Sequence, residues 1–178
     1  MYRDGHYGAA LLVYAPVCFL VAVLGYPTLA LLAGGVVLAL AMVPDWDTRI
    51  PGLKHRGPTH TVGFALLVGV VVGGAGVTFA TAGDPAAVST DLASLAEDPA
   101  TALGVGVLGF LVGFLTTCSH IAADALTPMG VTPFWPLSDR HVSVGVTRAS
   151  NRAANVALLG VGTAAAAGAY GLAVQLAG

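Results

Sequence analysis

Charge is scarce in this sequence. Lys and Arg together number 7 and Asp and Glu 9, so only 9% of the 178 residues carry a formal charge, against about 25% in soluble domains. Such a chain cannot cover a water-facing surface, and with 56% hydrophobic residues the excess apolar side chains are expected to face lipid. Cysteine is scarce too. Cys18 and Cys118 stand far apart in apolar stretches, which argues against a disulfide framework or a thiolate metal site; both are expected to pack as small hydrophobes. No internal repeat and no low-complexity tail are visible, and the length fits a single domain over 1–178. The net charge of −2 singles out no partner. Arg3 and the apolar run after it loosely resemble a secretory leader, but no small-residue cleavage motif ends the run, so a retained helix is expected.

A helix needs about 20 mostly apolar residues to cross the hydrocarbon of a bilayer. Five segments come close: 7–24, 28–43 (short), 61–82, 101–123 and 153–176. The expected fold class is therefore all-α, a polytopic transmembrane bundle of about five spans. Small residues allow close helix approach in lipid, where packing drives association, and Gly73-Gly74-Ala75-Gly76 and Gly104-Val105-Gly106 are candidates for such crossings. The connections differ in character. Segments 44–60 and 126–152 are polar and basic, whereas 83–100 holds Asp84, Asp91, Glu97 and Asp98. An odd number of spans puts the N-terminus, 44–60 and 126–152 on one side. All seven positive residues, Arg3, Arg49, Lys54, Arg56, Arg140, Arg148 and Arg152, then share that side, and the positive-inside rule makes it cytoplasmic. The acidic connection and the C-terminus are expected to face outward.

The same topology gathers the chemistry. His6 opens the first span, Asp45 and Asp47 end the second, His55, Arg56 and His60 precede the third, and His120 and Asp124 end the fourth, with His141 in the connection that follows. In Pro44-Asp45-Trp46-Asp47, two carboxylates at a helix exit can ligate a cation, or the motif is a polar turn ending a span. In His55-Arg56-Gly57-Pro58-Thr59-His60, the charge rule explains Arg56 but not two histidines; His is a common metal ligand near neutral pH, and the Arg fork suits phosphate or carboxylate. In Ser119 to Asp124, His120 and Asp124 are four apart and share one helix face, which suits two ligands of one metal or an Asp orienting a His. Ionisable groups at the membrane boundary default to a functional reading. The candidate metal ligands are His6, Asp45, His60, His120 and Asp124, with Asp47 a further ligand or a supporting group; His55 and His141 are secondary. Nitrogen and oxygen ligands without thiolate suit a divalent metal, zinc first, with manganese, iron or magnesium also compatible.

The runs Pro44-Asp45-Trp46-Asp47, His55 to His60, Ser119-His120 to Asp124-Ala125-Leu126-Thr127, and Gly130 to Trp135-Pro136 resemble the YdjM-type family, described as inner-membrane, metal-dependent hydrolases that include LexA-regulated members. Four separated motifs match in order. A weaker similarity is to zinc-dependent phospholipase C and the P1-type nucleases, which use His and Asp ligands on a helical bundle; His120 and Asp124 match their helical His-x-x-x-Asp pair, but no late His-x-x-x-Glu pair is found.

The expected activity is metal-assisted hydrolysis of an ester or phosphoester at the cytoplasmic membrane surface, where a divalent metal would bring a water pKa toward about 7. Asp47 or another free carboxylate is expected to accept a proton and Arg56 to hold the substrate's anionic group. A membrane lipid or lipid-linked phosphate is the expected substrate, with no nucleic-acid partner. Trp46, Phe134 and Trp135 are expected at the interface. Two rivals stand. A metal transporter would bind near the bilayer midplane, where this chain is nearly all apolar. A structural or regulatory protein would use the metal only to clamp helix ends. The segment 132–151, with Pro133 and Pro136, is no simple helix and is expected to be extended or re-entrant, with Arg140 and His141 near the site. The oligomeric state is not specified.

Overall fold

A computed structural model of the chain describes residues 1–96 and 98–177; Glu97 of the acidic connection lies outside them. Five helices are long and apolar enough to cross a membrane. In chain order, α1 is Arg3–Val23, α2 is Pro27–Leu40 and continues through a 3₁₀ turn at Pro44–Arg49, α3 is Val62–Ala82, α4 is the short Pro85–Val88, α5 is Pro99–Ala125 and α6 is Arg152–Ala177. The starts follow local chemistry. Pro27 and Pro99 occupy first-turn positions, where a missing N–H costs nothing. Thr61 caps α3 by accepting from Phe64 N at 3.1 Å, and Asp98 caps α5 through Thr101 N at 3.3 Å, each satisfying a backbone donor that the helix itself leaves free. The all-α, five-span architecture agrees with the pattern of apolar runs; among the described residues the one β pairing is an isolated bridge between Val131 and Val142.

Two helix pairs dominate the packing, α1 along α6 and α3 along α5. The second crossing is made by glycine. A Cβ on Gly109 would sit 2.6 Å from the Val72 carbonyl, and one on Gly113 would sit 2.8 Å from the Val68 carbonyl. Gly73, Gly76 and Gly106 lie in the same contact, whereas Gly74 and Gly104 have nothing within 4 Å and face away from it. The glycine clusters thus mark the crossing, but only the members on one helix face make it.

The connection 83–100 holds more structure than its charge suggests. It folds into α4 and a 3₁₀ segment, Thr90–Ala96. Leu92 and Leu95 are fully buried against Leu29, Ala80, Ala102 and Val105, and Asp91 accepts from Thr28 N at 3.1 Å. A small apolar plug therefore closes the end of the bundle opposite the histidines.

At the other end, Asn155 of α6 is 2% exposed and fully bonded. Its Oδ1 accepts from Tyr2 N at 2.9 Å, and its Nδ2 donates to the carbonyls of Ala149 at 3.0 Å and Asn151 at 2.7 Å. Asn155→Ala strands these groups, which costs about 1–3 kcal/mol for each that stays unsatisfied. A lower thermal midpoint in detergent is the expected result; an unchanged midpoint would show that water replaces the amide.

Candidate metal centre

Asp45 comes from the turn after α2, His60 from the turn before α3, and His120 and Asp124 from the last turns of α5. His60, His120 and Asp124 are at most 1% exposed, while Asp45 keeps 22%. Their ligand atoms all lie within 4.8 Å of one another. Asp45 Oδ1 is 3.3 Å from His60 Nε2 and 3.3 Å from His120 Nε2. Asp124 Oδ2 is 3.5 Å from His60 Nε2 and 3.8 Å from His120 Nε2. Ligands at about 2.0–2.2 Å from zinc lie roughly 3.3–3.6 Å apart in a tetrahedron; three of these separations fall in that range and the His120–Asp124 one is slightly longer, spacing that could hold one ion.

The hydrogen bonds behind the imidazoles fix which nitrogen faces inward. His120 Nδ1 lies 2.7 Å from the Ala41 carbonyl, which can only accept, so the ring proton sits on Nδ1. His60 Nδ1 lies 3.0 Å from Thr59 Oγ1, and that hydroxyl donates to Asp47 Oδ2 at 2.9 Å. A carboxylate can only accept, so Thr59 must accept from His60. Both Nε2 atoms therefore present bare lone pairs, and both are buried without a hydrogen-bond partner. Two lone pairs facing two carboxylates repel unless a cation lies between them. Metal-binding histidines are held by the same kind of outer hydrogen bond.

In the absence of a metal, a proton is the available cation. Burial alone would lower the His60 pKa, but the Asp124 and Asp45 carboxylates facing Nε2 outweigh it and hold the pKa above its ordinary value. A metal held there would compete with that proton for one place. Zinc affinity, measured by titration at a series of pH values, is expected to fall as the pH drops through the range where His60 charges.

Asp47 and Arg56 are placed differently from the quartet. Asp47 is 1% exposed. It accepts from Arg56 N at 3.1 Å and Thr59 Oγ1 at 2.9 Å, and it lies 3.0 Å from His55 Nδ1. Asp47, His55 and His60 form a second group at metal-ligand spacing, but Asp47 already holds three hydrogen bonds and frames the 55–60 turn. His55 is 44% exposed at its side chain. Arg56 adopts φ +60°, rare for a side chain of its size. That geometry turns its guanidinium inward, where it donates to Asp124 Oδ1 at 2.7 Å, Thr127 Oγ1 at 3.2 Å and the Gly130 carbonyl at 3.1 Å. Asp124 thereby turns Oδ2 to His60 and His120 and Oδ1 to Arg56, the Met1 amine and His6.

His6 lies beside the quartet. Its ring stacks on His120 with centroids 3.7 Å apart and planes 6° off parallel, and its Nε2 is 3.5 Å from Asp124 Oδ1 and 3.1 Å from the Met1 carbonyl. His141 and Arg140 are exposed. The segment around them runs extended past the end of α5, with Val144 N donating to the Ala125 carbonyl at 2.8 Å. Trp46, Phe134 and Trp135 are 45–51% exposed at this end of the bundle. Sequence reading missed Thr59, Thr127 and the Ala41 carbonyl. Thr59 lies inside a motif that was singled out, but a carbonyl leaves no signal in a sequence.

Removing the frame should loosen the ligand without removing it. Asp47→Asn and Thr59→Val are each expected to weaken metal affinity about 10–100-fold, the range for such outer-sphere partners, at unchanged stoichiometry in a zinc titration.

A family model described as "YdjM inner membrane protein" matches residues 1–177. No curated protein and no solved structure matches the chain.

Proposed function

The chain belongs to the YdjM inner membrane protein family, and from that premise we propose that this multi-pass membrane protein is a metal-dependent hydrolase acting at the membrane surface on an ester or phosphoester of a lipid or lipid-linked substrate. The observation that carries the proposal is the pair of bare imidazole nitrogens facing two carboxylates, with one of the four ligands, Asp45, reaching a cavity open to the surface. A catalytic metal keeps or gains an open position, in some sites by expanding to five ligands, and the part-exposed Asp45 side of the quartet is where a water would add. The quartet also sits at the ends of α2, α3 and α5 rather than at their middles, which favours surface chemistry over transport through the midplane. With all seven positive residues on that side, the site faces the cytoplasm.

In this reading Asp45, His60, His120 and Asp124 hold the metal, zinc first. Bound there, it would supply Lewis acidity toward the substrate and hydroxide near neutral pH. His6 packs the His120 ring in place. Arg56 fixes the orientation of Asp124, and Asp47 fixes His60 through Thr59; we assign both as positioning residues. Asp45 is the part of the quartet open to water and borders the cavity through which water and substrate would reach the metal.

The test is turnover of a panel of phosphoesters and carboxylesters in mixed micelles, before and after chelation and zinc return. Turnover that stops on chelation and returns with zinc is expected. A fully metal-loaded protein that turns over nothing in the panel would point to a clamp for helix ends instead.

A further inference from the structure

A cavity of about 440 Å³ opens between the start of α1 and the turn after α2. Arg3, Tyr7, Asp45, Trp46 and Arg49 line it, and Met42 belongs to its apolar wall. Asp45 joins it to the metal centre. The two arginines are uncommitted in a way that Arg56 is not: among the described residues neither pairs with a carboxylate. Arg3 is nevertheless held in place. Its Nε donates to Tyr7 Oη at 3.1 Å, and its guanidinium carbon lies 5.4 Å from the Tyr7 ring centroid. That leaves its terminal nitrogens free. Two guanidinium groups and one carboxylate, that of Asp45, line the cavity, so its wall carries a net positive charge that a bound anion would balance. Phosphate oxygens match the planar fork of arginine in geometry and charge. The cavity wall formed by Leu38, Ala39 and Met42 belongs to a helix read as spanning the membrane, and Leu38 is 42% exposed. An apolar wall beside a cationic one suits an amphiphile.

We propose that this cavity is the substrate entry and that Arg3 and Arg49 bind the phosphate of a phosphate-bearing substrate beside Asp45. The inference rests on the hydrolase reading and specifies its substrate class. It also moves anion recognition from Arg56, whose guanidinium is spent on Asp124, Thr127 and Gly130, to two residues whose positive charge alone would be credited to membrane orientation.

The experiment is calorimetric titration of zinc-loaded, detergent-purified protein with glycerol 3-phosphate and with dihexanoyl phosphatidic acid. Zinc content is measured alongside for every variant. The wild type is expected to bind at least one probe. Tighter binding of the lipid identifies a headgroup with its tails as the ligand, and equal binding identifies a free phosphate ester. Arg3→Gln/Arg49→Gln is expected to weaken binding about tenfold or more with zinc content unchanged. Arg3→Lys/Arg49→Lys, which keeps the charge but loses the fork, should fall between. Arg148→Gln/Arg152→Gln removes the same charge elsewhere on the same side and should bind as the wild type does. The inference is overturned if the wild type binds neither probe, if the Arg3/Arg49 glutamine variant binds normally, or if the Arg148/Arg152 variant weakens equally. A zinc-loaded protein that ignores both probes sinks this inference and leaves the metal centre standing. Arginine-dependent phosphate binding in a protein that holds no zinc does the reverse.

Discussion

His120→Ala is expected to strip the metal from the protein while leaving the bundle folded. The ring would supply one of two imidazole donors, and its loss would leave His60 as the sole nitrogen donor beside two carboxylates. Outer-sphere partners of metal ligands already account for about 10–100-fold in affinity, so removal of a ligand should exceed about 100-fold. Purified protein should retain substoichiometric zinc, and any hydrolytic turnover should vanish with it. Asp124→Ala should do the same, with a larger stability loss, because it also leaves the Arg56 guanidinium buried without its carboxylate. His6→Ala separates the ligand quartet from its surroundings. The stacked ring contributes packing, so this variant should keep its zinc stoichiometry and lose affinity only moderately. Full zinc occupancy in His120→Ala, with a native-like melting curve, would mean that the quartet is not the site.

Gly113→Leu is expected to be strongly damaging although it lies two turns from the nearest metal-ligand candidate. A side chain there would run into the Val68 carbonyl and the Gly69 backbone, and backbone cannot swing aside as a side chain can. Over-packing costs about 1–3 kcal/mol in ordinary cores and more when backbone must part, so a loss of about 3 kcal/mol or more is expected. The consequence reaches the site because α3 begins just after His60 and α5 carries His120 and Asp124. Forcing the helices apart should separate the ligands and lower zinc occupancy as well as the melting temperature. Gly104→Leu lies on the same helix with nothing within 4 Å, and it exchanges a poor helix former for a good one at a gain of up to about 1 kcal/mol. The contrast between these two leucines is the measurement, and equal melting temperatures would show that the α3–α5 crossing does not depend on glycine.

These expectations draw unequally on sequence and structure. The spans were legible because lipid offers no hydrogen bonds, so each crossing must be a helix of nearly fixed length, and only five runs suffice. The gathering of His6, Asp45, His60, His120 and Asp124 at one end follows from counting crossings, since each residue adjoins a span end on the same side. The plug at Leu92 and Leu95 was not legible. Its acidic residues read as a solvated connection, and only the space left by α2, α3 and α5 makes burial of two leucines favourable. The role of Arg56 was hidden for a similar reason. A basic residue near a membrane satisfies the charge rule wherever its side chain goes, and a positive φ inside a Gly-Pro turn aims it inward without any mark in the sequence.

The sequence by itself determined the architecture and the set of candidate ligands, because apolar length and charge asymmetry are one-dimensional properties that a bilayer reads directly. Only the tertiary structure decided which donors share one point. Ligation requires lone pairs to converge within a few ångströms, and that depends on rotamers, on helix crossings and on hydrogen bonds from groups such as the Ala41 carbonyl and Thr59. Those bonds leave Nε2 of His60 and His120 bare beside Asp45 and Asp124, set His6 against the ring next to them, and give Asp47 to the frame.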